Sequence, residues 1–264
     1  MTLNWKRYGF ADNFPHKGLS QVALRANVIL MKKLPTWPEF AHIDTWIFDL
    51  DNTLYPAHSN LFAKIDKRMG EFISNFLSVD LAEAKALQKK YFHEHGTTMR
   101  GLMQNHDMKP DAFLDYVHNI DVSDLAKAPE LSSALDQLEG RKIIFTNGSH
   151  YHANNVSSQL GIDHHFDHIF DIIAADYKPK PNSDVYEKLT DELEIDPTKA
   201  ILFEDMAKNL LPAHEMGMKT VWIPNDAHWS HDSSEGDHIH HVTDDLPRWL
   251  HDLLADKARN ADVA

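Results

Sequence analysis

Four short polar clusters carry residue types that can do chemistry together: DLDNT at 49–53, TNG at 146–148, KPKP at 178–181, and the pair Glu204 and Asp205. One residue separates Asp49 from Asp51, so both carboxylates can turn into the same crevice once the chain leaves a pleated strand. With Asp205 they would form an oxygen-rich pocket suited to Mg²⁺. One lysine, a bound cation and backbone amides can supply the local positive potential that a small phosphorylated substrate needs.

Each cluster follows a run that reads as a strand, so all four fall at predicted carboxyl ends. TWIFDL, from Thr45, is short, apolar and aromatic and breaks at once into the turn-forming DNT, as a buried parallel strand does. Similar runs recur at 142–146, 168–175, 200–203 and 219–223, with helix-length segments at 151–160, 183–193 and 206–216 between them. This alternation predicts an α/β fold with a doubly wound, Rossmann-like, mostly parallel sheet. The interval 56–140 is too long for one crossover and holds amphipathic stretches at 60–76, 80–94, 109–117 and 131–138. It predicts an all-helical cap inserted after the first strand, over the carboxyl ends where open α/β sheets bind ligands. The expected division is a poorly ordered leader at 1–40, a core domain at 41–56 and 141–264, and a cap domain at 57–140. Met31 stands just before the patterned region and is an alternative start; a chain beginning there is expected to fold and act like the full one.

In chain order, FDLDNTLYP, FTNGS, the lysine of KPKPNSDVY and FEDMAKN match the four motifs of the haloacid dehalogenase-like phosphohydrolases, and the sequence resembles that family over roughly residues 44–223. The strings FDLDNTLYP, GTTMRGLM and FEDMAKNLLPAHEMGMKTVWI look most like its pyrimidine 5′-nucleotidase branch, whose members carry a helical cap after the first motif. The resemblance implies a Mg²⁺-dependent phosphomonoester hydrolase in which Asp49 is the nucleophile and Asp51 the acid/base. It further implies that Mg²⁺ is held by Asp49, the backbone carbonyl of Asp51 and Asp205, with Glu204 as a further or water-mediated ligand. Thr146 and the amides of Asn147 and Gly148 would take phosphoryl oxygens, and one lysine would offset charge on the phosphoryl group. Lys180, which opens K-P-x-x-x-x-aromatic ending at Tyr186, is favoured for that role over Lys178.

These residue types suit the chemistry. Nucleophile and phosphate monoester are both anionic, so a site must neutralise charge and hold the reactants in line. A carboxylate can then split hydrolysis into formation and breakdown of an aspartyl phosphate. Plainer roles remain open for several residues. Thr146 and Asn147 could serve a turn or a cap, Glu204 and Asp205 could cap the helix near Met206, and Asn209 could steady a loop or simply pack. Phe62, Met69, Phe72 and Phe76 fall at helical spacing and read as cap core. In GTTMRGLM, Thr97, Thr98 and Arg100 could contact a base or sugar, or merely start a helix. Small nucleotides such as UMP and CMP are the expected substrates. Sugar phosphates or phosphoglycolate form one alternative and a catalytically silent phospho-ligand sensor another.

Composition narrows the field. Across 264 residues, 42% are hydrophobic and 25% charged, the profile of a folded, soluble chain. A net charge of −14 repels polyanions, so polymeric nucleic acid is not an expected partner. The absence of cysteine removes disulfides, thiolate nucleophiles and cysteine-ligated metals, and fits a cytoplasmic protein. No apolar run is long enough for a membrane span; the best, 22–31, is broken by Arg25 and Asn27. Nineteen histidines include His164, His165 and His168, and His238, His240 and His241, but their spacing matches no ligand pattern and they read as surface residues.

Overall fold

The computed structural model describes residues 34–261. Residues 1–33, with most of the expected leader and the alternative start Met31, lie outside the described residues.

Strand β1 (Thr45–Phe48) is buried at every position, and so is β4 (Ala200–Glu204). Runs buried along their whole length belong to parallel strands covered on both faces. With β2 (Arg141–Phe145), β3 (His168–Phe170), β5 (Lys219–Trp222) and β6 (His241–Val242) they form one all-parallel sheet in the order β3-β2-β1-β4-β5-β6. Phe48 pairs with Ile144 on one side and Phe203 on the other, so β1 is central. The winding reverses between β1 and β4, and that reversal opens a crevice at their carboxyl ends. The doubly wound expectation stands.

Alternate residues of each strand face opposite layers. Trp46, Phe48, Ile144, Ile201 and Phe203 share one buried cluster with helices α6 (Pro129–Gln137), α7 (His150–Leu160) and α10 (Leu246–Ala261). On the other face Phe145 meets Tyr186 of α8 (Ser183–Glu192) edge-on at 5.1 Å. Between β4 and β5 the expected helix at 206–216 divides into a 3₁₀ turn, Ala207–Asn209, and α9 (Leu210–Glu215).

The insert is built from α2 (Leu61–Leu77), α3 (Leu81–His95), α4 (Thr98–His106) and α5 (Pro110–His118). Asp80 caps α3 by accepting the Glu83 amide, and Thr97 caps α4 by accepting the Arg100 amide. Ile65, Ile73, Ala84, Leu102, Phe113 and Val117 make its own apolar cluster. The helix at 131–138 was expected there as well, and this boundary needs correcting. In α6, Leu131, Ala134 and Leu135 pack in the sheet's cluster with Leu250 and Leu253 of α10. An amphipathic face shows that a helix is half-buried and not which neighbour buries it.

Two further boundaries move. The run at 168–175 is strand only to Phe170, because the Asp171 carboxylate accepts the amides of His150 (2.8 Å) and Ala174 (2.9 Å) and turns the chain. Order also begins before residue 41: α1 (Trp37–Phe40) donates the Trp37 amide to Asp256 (2.7 Å), and fully buried Phe40 lies edge-on to Trp249 at 5.4 Å. Phe40→Ala should therefore cost about 3 kcal/mol of stability, read as a lower denaturant midpoint; an unchanged midpoint would mean that α1 only rests on the surface. No helix among the described residues is long and apolar enough to cross a membrane.

Candidate active site

The hydrogen-bonding of β1 runs one residue past the strand, where the Asp49 amide donates to the Phe203 carbonyl (2.9 Å). The chain then turns sharply: Asn52 takes a left-handed φ of 64°, and the amides of Thr53 and Leu54 return to the Leu50 carbonyl. Asp49 and Asp51 thereby both line a cavity of about 410 Å³ between the strand ends and the insert.

Lys180 enters from the segment after β3. The Asn147 side-chain carbonyl accepts its backbone amide (2.8 Å), which fastens the approach. Its Nζ donates to Asp49 Oδ1 (2.8 Å), Glu204 Oε2 (2.7 Å) and the Phe145 carbonyl (2.8 Å), and the residue is only 2% exposed. Lys178, two residues earlier, pairs with Asp184 at the surface (2.8 Å). Lys180 is thus the lysine that meets the carboxylates.

Asp49, Glu204 and Asp205 are all buried and offer oxygens within 4.8 Å of one another. Asp205 Oδ2 accepts from Asn225 (2.9 Å) and Asn52 (3.3 Å), while its carbonyl accepts from Trp222 Nε1 (3.0 Å) and Ser230 Oγ (2.5 Å). Glu204 Oε1 accepts from Asn209 (3.1 Å) and from the Met206 amide (3.2 Å), so its helix-capping contact and its place in the cluster coexist. Asn209 steadies Glu204 as well as packing.

Three buried carboxylates face one ammonium, an excess of two formal negative charges. Burial and Glu204 push the Asp49 carboxyl up to about 7 although Lys180 pulls the other way. Burial, Glu204 and Asp49 push Asp205 well above the usual carboxylate range. For Lys180, burial alone would weaken the ammonium, but Asp49 and Glu204 outweigh it and hold the charge in place. A crowded set of hard oxygen donors with uncompensated negative charge fits a divalent cation such as Mg²⁺.

The Asp51 carboxylate stands apart from that set. Burial works against its ionisation, but His152, then Tyr55, more than reverse the effect and hold it below the usual range. On the opposite rim, Thr146 Oγ1 accepts the Gly148 amide (2.9 Å). That amide is engaged within the loop in this structure. A Cβ at Gly148 would stand 3.2 Å from Thr146 Oγ1 and 3.8 Å from Asp51 Oδ2, so a side chain there would crowd the cavity.

The insert contributes Phe62, Ile65 and Met69 from α2, Phe92 from α3, and Phe113 and Leu114 from α5. Phe62 and Met69 therefore face the cavity, whereas Phe72 and Phe76 stack on each other (5.7 Å). Arg100 does not line the cavity; its guanidinium reaches the Tyr177 carbonyl (3.4 Å) and ties insert to core. Thr97 caps α4 and Thr98 bonds the Gln88 carbonyl of α3 (3.2 Å), and both also line the cavity, so a helix-start role and a place on the cavity wall coexist. Residues that motif spacing missed include Tyr55, His118, His152, Asn225, His228, Trp229 and Ser230. Tyr55 lies within the FDLDNTLYP string itself, four residues after Asp51. Among the described residues, the histidines form no cluster of three with metal-binding geometry.

The haloacid dehalogenase-like hydrolase family profile matches residues 43–217, a span that contains all four motif clusters. Phosphate metabolism protein 8 of Saccharomyces cerevisiae is 29% identical over 195 residues, covering 67% of this chain and 60% of that protein. The chain thus spans less than two thirds of that relative's length. Among solved structures, a HAD phosphatase from Thermococcus onnurineus superposes with a TM-score of 0.51 at 16% identity, covering 76% of this chain and 92% of that one. CbbY from Rhodobacter sphaeroides, in complex with xylulose-(1,5)bisphosphate, gives 0.56 at 15% identity, covering 78% and 95%. At these identities the likeness is one of fold. The chain belongs to the haloacid dehalogenase-like hydrolases.

Proposed function

We propose that this haloacid dehalogenase-like hydrolase is a Mg²⁺-dependent phosphomonoester hydrolase working through an aspartyl phosphate, with pyrimidine nucleoside 5′-monophosphates such as UMP and CMP as substrates. The observation that carries the reading is the setting of Asp49, at the topological switch point of the sheet, on the cavity wall, with Oδ1 held by Lys180.

A free Asp49 oxygen attacks phosphorus and the ester P–O bond breaks. Its electron pair goes to the leaving oxygen, which takes a proton from Asp51 and departs as an alcohol. Asp51, now a carboxylate, accepts a proton from the water that attacks phosphorus. The acyl phosphate P–O bond then breaks, releasing inorganic phosphate and restoring Asp49. Lys180 offsets charge on nucleophile and phosphoryl group. The Thr146 hydroxyl, whose oxygen already takes the Gly148 amide, can turn its own hydrogen to a phosphoryl oxygen beside the Asn147 amide, and Gly148 leaves the space. Asp49, Asp205, the Asp51 carbonyl and Glu204, directly or through water, would hold the cation, which offsets charge on the reacting oxygens when bound.

The nucleotide preference is supported by the wall the insert provides, Phe62, Met69 and Phe92, together with Trp229. Apolar and aromatic side chains suit the faces of a planar base better than a polyol. A silent sensor is disfavoured because Asp49 and Asp51 are both present. The test is phosphate release from UMP, CMP, ribose 5-phosphate and phosphoglycolate, with Mg²⁺ and with EDTA. UMP and CMP should show the highest kcat/KM, and chelation should lower release at least about tenfold, reversibly on adding Mg²⁺. Preference for ribose 5-phosphate or phosphoglycolate would replace the nucleotide assignment, and release from none of them would overturn the phosphomonoesterase reading.

A further inference from the structure

Asp51 Oδ1 receives the Tyr55 hydroxyl at 2.5 Å and lies 2.8 Å from His152 Nε2. A carboxylate oxygen only accepts, so Nε2 carries the imidazole hydrogen in this contact. His152 Nδ1 is buried with no hydrogen-bond partner among the described residues, and a second hydrogen there would be orphaned. The imidazole therefore acts as a one-sided donor aimed at Asp51.

That donor is rigidly seated. His152 is fully buried in the first turn of α7, with its backbone amide on Ser149 Oγ (3.3 Å). Its ring stacks on that of His118 (4.6 Å between centroids, 12° between planes). His118, the last residue of α5, is fixed in turn by Nδ1 on the same Ser149 Oγ (2.8 Å). Tyr55 is also buried, so neither donor can swing away without disturbing the core.

We infer that Tyr55 and His152 are positioning residues: together they fill both acceptor sites of Asp51 Oδ1 and thereby reserve Oδ2, the oxygen beside Gly148 on the cavity side, for the proton that goes to the leaving group and later comes from water. A hydrogen on Oδ1 would crowd three hydrogens around one oxygen, whereas Oδ2 has no protein donor among the described residues. The clamp also fixes the rotation of the carboxyl group, so the reactive oxygen faces the ester in every turnover. The inference rests on the phosphomonoesterase reading, because it assigns the orientation of that reaction's acid/base.

Two substrates separate this role from a merely structural one. Cleavage of an alkyl phosphate expels a poor leaving group that needs the proton, whereas 4-nitrophenyl phosphate expels a stable phenolate that does not. Tyr55→Phe, which removes one oxygen at nearly constant volume, and His152→Ala should each lower kcat/KM for the best alkyl substrate by about 10- to 100-fold, the rate equivalent of one hydrogen bond to a charged group. The loss with 4-nitrophenyl phosphate should stay within about threefold. In an Asp51→Asn background neither change should lower alkyl-ester turnover further, since both act through Asp51. Equal losses on the two esters, or a full additional loss in that background, would overturn the clamp. Failure of the unsubstituted protein to release phosphate from either ester would instead sink the phosphomonoesterase reading.

Discussion

Asp49→Asn should abolish turnover, lowering kcat on the order of 10⁴-fold or more, while the protein stays folded. The amide matches the carboxylate in size but is a far poorer nucleophile, and it cannot form the acyl phosphate. Stability should hold or rise, because the replaced charge is one that burial and Glu204 already disfavour, to the point of lifting its carboxyl to about 7. Lys180 keeps its contact with Glu204 (2.7 Å) in the variant, so its ammonium is not left unpaired. The check is an initial rate on mass-verified protein alongside a thermal melt. Wild-type-like turnover would remove Asp49 from the nucleophile's role, and a collapse of the melt would show that its charge is structural.

That expectation was open to sequence reading because the strands announce themselves. TWIF and AILFE are buried at every position and apolar at all but Thr45 and Glu204, as strands covered on both faces tend to be, and an aspartate follows each at once. Periodicity says less about short elements and shared faces. Strand β6 has two residues, too few for any pattern, and the face of α6 does not name its partner. At the site, Asp49, Glu204, Asp205 and Lys180 come together as their motif positions implied. Lys180, favoured by its motif string, is set apart from Lys178 by the reach of its Nζ to Asp49 and Glu204, and Asn147, 33 residues away in the chain, fastens its backbone. His152 reaches Asp51 across 101 residues, and Ser230 reaches the Asp205 carbonyl from the segment after β5. Residues that act by holding other residues have no spacing rule, since packing alone brings them into place.

Lys180 carries the other large expectation, because it serves the fold and the chemistry at once. Lys180→Met keeps the bulk of the stem and removes the ammonium, which leaves Asp49, Glu204 and Asp205 buried together without a counter-charge from lysine. Breaking a buried ion pair from one side typically costs about 3–5 kcal/mol, against roughly 0–1 for a surface pair such as Lys178–Asp184. The cost should depend on pH in metal-free protein. A carboxyl whose folded-state value is raised, as for Asp49, adds stability below its ordinary range and loses it as pH rises through the folded value, about 7. The variant should therefore be least stable relative to wild type above pH 7, and should approach it towards pH 5 as protons take over the lysine's role. Phosphate release should fall on every substrate alike, since the ammonium acts at the phosphoryl end that all of them share. Denaturant midpoints across that pH range, with kcat/KM on a nucleotide and on 4-nitrophenyl phosphate, check both halves. A pH-independent midpoint difference would mean that the carboxylates are not relieved by protonation. A loss confined to the nucleotide would move Lys180 from the phosphoryl group to the leaving group.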